Sequence, residues 1–152
     1  MRGDPLGPTE RTGGTGVALH QLTMISIEAM MSTALLTVKD TDLVSTAATK
    51  MEAAGIRHLP VSDAKNHLVG VISTRDTQAA GKRSKKRVGE VMSREVLTVR
   101  PDDPAVKAVK LMIENKVGSV PVVDEEETLI GIVTETDFLQ VAWQALEKGP
   151  RA

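Results

Sequence analysis

The 152-residue chain has no cysteine and no tyrosine, and its aromatic side chains are Phe138 and Trp143. Without cysteine, disulfides, thiolate zinc sites and cysteine nucleophiles are excluded, which fits a reducing compartment such as the cytoplasm. Two aromatic rings are too few for a base-stacking platform, so nucleic acid is disfavoured as a partner. The net charge of -1 gives no global attraction to nucleic acid or an anionic membrane. No apolar run is long enough to span a membrane, so we expect a cytoplasmic protein with no membrane partner.

The sequence contains an internal repeat with an offset of 61 residues and no gap. Residues 31–76 and 92–137 are identical at 14 of 46 positions, where chance would give about three. Such a repeat predicts one supersecondary unit used twice, with each copy burying its apolar face against the other. We therefore expect the function to lie where the two copies meet.

Each copy is predicted to contain a strand, a helix, two strands and a second helix, which gives a mixed α/β fold. The first strand is expected at 35–38 or 96–99, and short acidic residues (Asp40 and Asp42, or Asp102 and Asp103) are expected to begin the next helix. The later strands, at 59–61 and 68–72 or at 120–123 and 129–133, are near-continuous apolar runs that suggest burial on both faces. The closing helix is short in the first copy, 77–80, and longer in the second, 138–147.

The repeat divides the chain into five segments. Residues 1–23 form a lead-in rich in glycine and proline, either native or a tag, with little to pack. The copies occupy residues 24–80 and 88–147, and residues 148–152 form a tail. The linker 81–87 carries five basic side chains: Lys82, Arg83, Lys85, Lys86 and Arg87. We interpret it first as a solvated connector; a basic lip near a phosphate-bearing ligand, or a docking patch, is the alternative.

The most informative motif closes each copy, Gly70–Asp76 in the first and Gly131–Asp137 in the second. In each, an apolar strand ends in a hydroxyl residue, Ser73 or Thr134, and a carboxylate follows three positions later. The hydroxyl can cap the new helix beside free amides that suit an anion, and the carboxylate can accept both hydroxyls of a ribose. A single motif would indicate an ordinary capping box. Its recurrence in register, after the same Gly-aliphatic-aliphatic strand, favours a binding site.

Together these motifs resemble the cystathionine-beta-synthase (CBS) domain, present as a stand-alone tandem pair over about residues 25–143. The resemblance rests on the entrance, middle and closing motifs of both copies: Met31-Ser32 and Val91-Met92-Ser93, Gly55–Val61 and Val117–Asp124, and the two Gly…Ser/Thr…Asp endings. It implies that two CBS repeats pack through their sheets into one pseudo-two-fold module that commonly dimerises. It also implies clefts that bind adenine nucleotides or related adenosyl ligands, in a module that regulates another protein.

The resemblance implies two ligand clefts, each drawing on both copies. In the stronger cleft, Thr134 and Asp137 are expected to hold the ribose, together with first-copy residues: Thr37, Val38, Ile56, Arg57, His58 and Pro60. In the weaker cleft, Ser73 and Asp76 take that role, together with second-copy residues: Thr98, Val99, Val117, Gly118 and Pro121. Four aliphatic residues would wall the base, or serve as plain core residues: Val38, Ile56, Val99 and Val117.

The two clefts are expected to differ in their affinity for phosphate. Arg57 and His58 of the first copy are replaced by Gly118 and Ser119 in the second. Arginine offers a planar fork of donors for phosphate; alternatively, it pairs with a surface carboxylate. The residue after Asp76 is Thr77, where the family commonly has an aliphatic side chain. This predicts a weaker helix behind Asp76 in the weaker cleft.

No set of residues indicates catalysis. The histidines at 20, 58 and 67 have no companion at metal-ligand spacing, so we expect no metal site. The two motif aspartates belong to different sites, and no Gly-rich phosphate loop with a lysine is present. We therefore expect no enzymatic activity and no obligatory cofactor, with AMP, ADP or ATP as the ligand, with or without Mg²⁺.

The leading hypothesis is an energy-sensing regulatory module that binds an adenine nucleotide and alters its homodimer or its contact with a regulated protein. Two alternatives stay open: a structural or interaction module that binds no ligand, and a binder of S-adenosylmethionine or NAD. Nucleic-acid binding through the basic linker is a weaker idea, and it predicts a steep dependence on salt.

Overall fold

A computed structural model gives the fold and describes residues 24–149. In this range the elements are, in chain order, α1 (Ile27–Met30), β1 (Val38–Lys39), α2 (Val44–Ala54), β2 (His58–Ser62), β3 (Leu68–Ser73), α3 (Thr74–Ala80), α4 (Val88–Val91), α5 (Ala105–Asn115), β4 (Ser119–Val123), β5 (Leu129–Thr134) and α6 (Glu135–Lys148). The mixed α/β fold class is thereby confirmed. The predicted lead-in 1–23 and the end of the tail lie outside the described residues. None of these helices is long and apolar enough to cross a membrane.

The first strand of each copy is shorter than the sequence predicts. β1 has two residues, and it pairs in parallel with β2 by placing Val38 opposite Val61. In the second copy, an isolated parallel bridge between Val99 and Val122 stands in its place. Both valines at the predicted strand ends are almost fully buried, with 1% of Val38 and 1% of Val99 exposed. The apolar pattern therefore located the buried residue correctly, while the strand pairing extends over fewer residues.

The prediction that acidic residues cap the first long helix of each copy was wrong. α2 begins after Leu43 and α5 after Pro104, and neither residue caps its helix with a side-chain hydrogen bond. Asp42 instead accepts the backbone N–H of Lys39 through Oδ2 at 2.9 Å. This carboxylate therefore shapes the loop before the helix, because a short acidic side chain competes for nearby backbone donors.

The described residues divide into two compact units, and each unit combines segments of both copies. The first unit contains residues 24–31, 101–120 and 133–149. The second contains residues 32–100 and 121–132. The short helices at the start of each copy, α1 and α4, explain part of this exchange of segments. We call them the entrance helices, and each lies on the other copy.

Each entrance helix is tied to the start of the long helix of the other copy. In the first unit, the N–H of Ile27 donates to the carbonyl of Asp103 at 2.9 Å. In the second unit, the N–H of Val88 donates to the carbonyl of Asp42 at 2.8 Å. These two hydrogen bonds join equivalent positions of the repeat, and Ile27 and Val88 are both fully buried. The repeat therefore specifies the same exchange of segments twice.

The second unit holds a three-stranded sheet in the order β1-β2-β3, in which β2 and β3 are antiparallel. β2 buries four consecutive residues, as expected for a strand covered on both faces, while β3 alternates. The sheet packs on α2 and α4 through one apolar cluster: Val38, Ala47, Met51, Leu59, Val61, Ile72 and Val88. β4 and β5 form a separate two-stranded sheet.

Candidate ligand-binding site

The motif of the second copy forms a complete capping box at the start of α6. Thr134 ends β5, and its N–H donates to Oδ2 of Asp137 at 2.8 Å. The N–H of Asp137 in turn donates to Oγ1 of Thr134 at 3.4 Å, and that hydroxyl lies 3.2 Å from Oδ2. The box forms because a hydroxyl stands at the N-cap and a carboxylate at the third helical position. Reciprocal hydrogen bonds thus fix the orientation of the carboxylate.

The motif of the first copy forms the same box at the start of α3. The N–H of Ser73 donates to Oδ2 of Asp76 at 2.9 Å, and the N–H of Asp76 donates to Oγ of Ser73 at 3.1 Å. Asp76 and Asp137 are both half-buried.

Capping and ligand binding are compatible at both motifs. Within residues 24–149, the hydrogen bonds that these two carboxylates accept all go to Oδ2. Oδ1 of each can therefore still accept a hydrogen bond from a ligand hydroxyl, since an ionised carboxylate has about four acceptor sites. The capping box then pre-orients the group that a ribose would meet.

The predicted site residues of the first copy lie in the second unit, and they differ in exposure. Val38 and Pro60 are buried in the sheet, where Pro60 stands opposite Val71, so their side chains belong to the core. The carbonyl of Thr37 accepts a hydrogen bond from Nζ of Lys50 at 2.8 Å. Ile56, in contrast, is 37% exposed and is free to contact a ligand.

Arg57 and His58 are both exposed, and they lie beside the closing motif of their own copy. The carbonyl of Arg57 accepts the N–H of Thr74 at 2.9 Å, and His58 stands opposite Ser73 in the β2–β3 pairing. Among residues 24–149 we find no salt bridge to Arg57, so the alternative pairing with a surface carboxylate is not seen there.

Arg57 also lines a groove of about 690 Å³ between α2 and α3. Its lining combines aliphatic side chains, such as Ile56, with polar ones: Ser45, Thr49, Glu52, Thr74, Thr77, Gln78 and Lys82. The guanidinium of Arg57 and the ammonium of Lys82 would attract an anionic group to this groove.

At the equivalent position of the second copy, the structure places a carboxylate that the sequence analysis missed. The carbonyl of Gly118 accepts the N–H of Glu135 at 3.0 Å. A Cβ at Gly118 would lie 3.5 Å from Cδ of Glu135, so the acidic side chain occupies the space beside the glycine. The available signal was the residue immediately after Thr134, which is acidic here and is Thr74 in the first copy.

The remaining predicted residues are divided between the units. Val99 is buried and donates its N–H to the carbonyl of Pro121 at 3.1 Å, and both lie with Thr98, Ser73 and Asp76 in the second unit. The first unit holds four of the predicted residues: Val117, Gly118, Thr134 and Asp137. The grouping of residues into two clefts stays a prediction. In the described range, no group of three or more His, Asp or Glu is arranged to hold a metal ion.

The repeated fold and its paired capping boxes define a tandem α/β repeat protein. The CBS domain family matches residues 27–79 and 88–143, and the chain belongs to this family as a pair of CBS repeats. The chain is 30% identical over 140 residues to a CBS domain-containing protein of Dictyostelium discoideum, with 83% of this chain and 97% of that protein covered.

Other relatives are much longer proteins with enzyme names. The chain is 33% identical over 128 residues to a homoserine O-acetyltransferase of Methanococcoides burtonii, and this match covers 84% of the chain. It is 35% identical over 140 residues to an inosine-5'-monophosphate dehydrogenase of Methanocaldococcus jannaschii, with 86% of the chain covered. The chain spans only 26% and 28% of these two proteins.

Similar solved structures include CBS pairs with bound adenosyl ligands. CBSX2 in complex with AMP is 31% identical with a TM-score of 0.70, over 78% of this chain and 96% of that one. A CBS domain pair in complex with 5'-methylthioadenosine and S-adenosyl-L-methionine is 29% identical with a TM-score of 0.69, over 80% and 98%. The cytosolic domain of the Mg²⁺ channel MgtE in complex with ATP is 31% identical with a TM-score of 0.68, over 87% and 54%.

Proposed function

We propose that this CBS pair is a regulatory module that binds an adenine nucleotide (AMP, ADP or ATP) and thereby alters its homodimer or its contact with a regulated protein. The observation that carries the proposal is the capping box, which occurs in both copies and leaves Oδ1 of each aspartate able to accept a ribose hydroxyl. The complexes of similar CBS pairs with AMP, ATP and S-adenosyl-L-methionine support the same ligand class.

The two motifs should serve unequal sites. Arg57 is exposed and has no salt bridge among the described residues, so its guanidinium can bind phosphate without first breaking an ion pair. The equivalent Gly118 offers no donor side chain and has the Glu135 carboxylate beside it. Because like charges repel, that carboxylate disfavours a phosphate near Gly118. We therefore propose that phosphate-rich ligands prefer the site that includes Arg57 and that Thr134 and Asp137 hold the ribose there, as the resemblance to the family implies.

Isothermal titration calorimetry tests the proposal. The purified protein, freed of carried-over nucleotide, would be titrated with AMP, ADP, ATP, S-adenosylmethionine and NAD, each with and without Mg²⁺, with guanosine nucleotides as controls. Adenine-selective binding at one strong site per chain is expected. A preference for S-adenosylmethionine would replace the nucleotide by a sulfonium ligand of the same ribose site. No heat and no thermal shift with any ligand would overturn the proposal in favour of an interaction module that binds none.

Regulation, rather than catalysis, is the role that fits the described residues. The enzyme-named relatives are three to four times longer than this chain's match to them, so their chemistry has room to reside in other segments. We propose that this chain has no enzymatic activity and acts without an obligatory cofactor. Incubation of ATP with the protein and detection of ADP or AMP by chromatography tests the first point, and ATP turnover above that of a heat-treated control would contradict it.

A further inference from the structure

The linker between the two copies carries a dense run of like charge. All but one of residues 82–87 are basic, and the basic ones are all exposed: Lys82, Arg83, Lys85, Lys86 and Arg87. They give this segment a charge of +5, and because the chain as a whole has -1, the remaining residues together carry -6. We call residues 82–87 the basic linker. Its charge is therefore opposite in sign to that of the rest of the chain.

The cations of the basic linker are not neutralised within the part of the chain that the structure describes. None of the salt bridges among residues 24–149 involves a side chain of this segment. The guanidinium of Arg87 donates through Nη1 to the carbonyl of Thr41 at 3.2 Å, and that partner carries no net charge. Because like charges at neighbouring positions repel one another, the folded chain keeps a local repulsion that an external anionic group would relieve.

The backbone of the basic linker is fastened to the start of α2. The N–H of Val44 donates to the carbonyl of Lys86 at 3.0 Å, and Arg87 forms an isolated antiparallel bridge with Leu43. Oγ of Ser84 accepts the N–H of Lys86 at 3.1 Å, which shapes the segment from within. Backbone held in this way presents its cations from a defined surface, so binding there costs less conformational entropy than binding to a free tether.

The second copy has no counterpart of this charge. A shift of 61 residues leads to a segment of α6 whose charges cancel: Trp143, Gln144, Ala145, Leu146, Glu147 and Lys148. In the first copy, α3 ends at Ala80, and the basic linker follows outside the helix. A connection between two helices does not require charge, since glycine and serine serve that purpose. The basic side chains therefore have no explanation in the connection itself.

We propose that the basic linker binds a short acidic segment, rich in Asp and Glu, of the protein that this CBS pair regulates. The proposal rests on the proposed function, because it gives the chemistry of the regulated partner. Six residues span at most about 20 Å, so a segment of similar length that carries carboxylates would match the linker charge for charge. Opposite charges of this kind steer the encounter of two proteins and select the partner.

The surroundings of the basic linker favour a short acidic segment over a nucleic acid. Two acidic side chains lie where the linker ends: Oε2 of Glu90 accepts the N–H of Arg87 at 2.7 Å, and Cβ of Asp40 lies 3.4 Å from the place that a Cβ at Gly89 would take. A DNA duplex carries one charge per about 1.7 Å of its length, so it would extend past the linker and meet these carboxylates. The linker also contains no aromatic side chain on which bases would stack.

Fluorescence anisotropy of a fluorescein-labelled peptide of alternating Glu and Gly residues tests the proposal. The full chain is compared with a linker variant that loses three of the basic charges: Arg83→Gln, Lys85→Gln and Lys86→Gln. The matched control loses three exposed lysine charges elsewhere in the chain: Lys65→Gln, Lys110→Gln and Lys116→Gln. We expect the linker variant to raise the dissociation constant of the peptide about tenfold or more and the control to leave it within about twofold. Added salt should weaken the wild-type binding, because exposed charges are screened.

Four results would overturn the proposal. The full chain could fail to bind the peptide at low salt, or the two variants could lose affinity equally. A DNA oligonucleotide of the same charge could bind more tightly than the peptide, which would make the partner a nucleic acid. Sedimentation velocity could show self-association that the linker variant abolishes, which would make the partner a second copy. Circular dichroism of each variant would show that it is folded.

Calorimetric titration of the same three proteins with AMP, ADP and ATP keeps this proposal separate from the proposed function. We expect the linker variant to bind nucleotide as the full chain does. A chain that binds nucleotide but not the peptide refutes the acidic partner alone, and a chain that binds the peptide but no nucleotide refutes the ligand alone.

Discussion

At the scale of single residues, the two motif aspartates have the same structural role in their capping boxes. Their contributions to ligand binding can therefore be compared directly. Asp76 and Asp137 each complete a capping box through Oδ2. Replacement of either by alanine removes the N3 half of the capping box and should therefore lower the free energy of unfolding by at most about 1 kcal/mol, the typical value for loss of a capping side chain. Any difference between the two variants in nucleotide affinity would then report on the ligand, because the loss of the cap is common to both.

We expect Asp137→Ala to weaken adenine-nucleotide binding about tenfold or more, and Asp76→Ala to weaken it much less. The reason is that the proposed strong site pairs Asp137 with the guanidinium of Arg57, whereas the proposed weaker site pairs Asp76 with Gly118, which has no donor side chain. Calorimetric titration of both variants, with Thr136→Ala as a control in the first turn of α6, measures this. Equal losses in the two variants would contradict the proposed asymmetry of the sites.

At the scale of helices, the two copies end their first long helix with different residues in the same left-handed backbone conformation. α2 and α5 both have 11 residues and both end at a residue in the left-handed region, Gly55 at φ 67° and Lys116 at φ 56°. Glycine adopts this conformation without strain, while a residue with a Cβ is disfavoured there by about 1 kcal/mol. The second copy therefore holds a small strain that the first copy avoids.

Lys116→Gly should raise the free energy of unfolding by about 1 kcal/mol, because it relieves the left-handed strain at the end of α5. Urea denaturation at a fixed protein concentration measures the change. Lys110→Gly is the matched control, since this exposed lysine lies inside the same helix, where glycine should destabilise by about 1 kcal/mol. Destabilisation by both substitutions would show that the φ of Lys116 carries no cost.

The hairpin turns predict a dependence of stability on pH. Asp63 and Asp124 each accept two backbone N–H groups of their own turn through Oδ1 at 2.9 Å. The hydrogen bond from the N–H of His67 holds the pKa of Asp63 below its ordinary value of 3.8, and that from Thr128 does the same to the pKa of Asp124. A carboxyl whose pKa is lowered by folding stabilises the native state above its unfolded pKa and loses this contribution as the pH falls through the lower native value.

The free energy of unfolding should therefore fall as the pH drops below about 4, and the double variant Asp63→Asn/Asp124→Asn should show a shallower fall. Asparagine keeps an acceptor oxygen for the turn but does not titrate in this range. Urea denaturation across this acid range measures the slope, with Glu125→Gln as a control in the second turn. An unchanged slope in the double variant would mean that other groups cause the acid sensitivity.

Sequence reasoning was most successful where a residue acts through a periodic pattern. The repeat and its apolar runs predicted the order of elements and the fold class, because burial imposes a period that a sequence displays directly. The family was identified from the resemblance of the entrance, middle and closing motifs. Sequence reasoning failed at Asp42, since a short carboxylate can serve a loop or a helix start equally well. It also gave no reason for Gly70, where a Cβ would lie 2.7 Å from the carbonyl oxygen of Ser93. Such close approaches, like the side chain of Glu135 beside Gly118, depend on tertiary distances.

At the scale of the whole molecule, regulation requires that ligand binding and association be coupled. A nucleotide can shift the dimer only by the difference between its affinities for dimer and monomer. The coupling is reciprocal, so the factor by which nucleotide changes the dimer dissociation constant must equal the factor by which dimerisation changes nucleotide affinity. The helix α6 begins at the motif that supplies Thr134 and Asp137, and its side chains Leu139, Trp143 and Leu146 are exposed. A shift of this helix would therefore connect ligand binding with the surface that the helix exposes.

We expect saturating nucleotide to change the dimer dissociation constant by about fivefold or more, the lower end of ordinary coupling between sites. Sedimentation velocity with and without AMP or ATP measures this factor, and calorimetry at protein concentrations above and below that constant measures the reciprocal one. Asp137→Ala is the control, because it should dimerise normally and lose the nucleotide effect. If the wild-type constant is the same with and without bound nucleotide, the dimer is not the readout, and regulation through this protein must proceed by a partner surface such as the groove between α2 and α3.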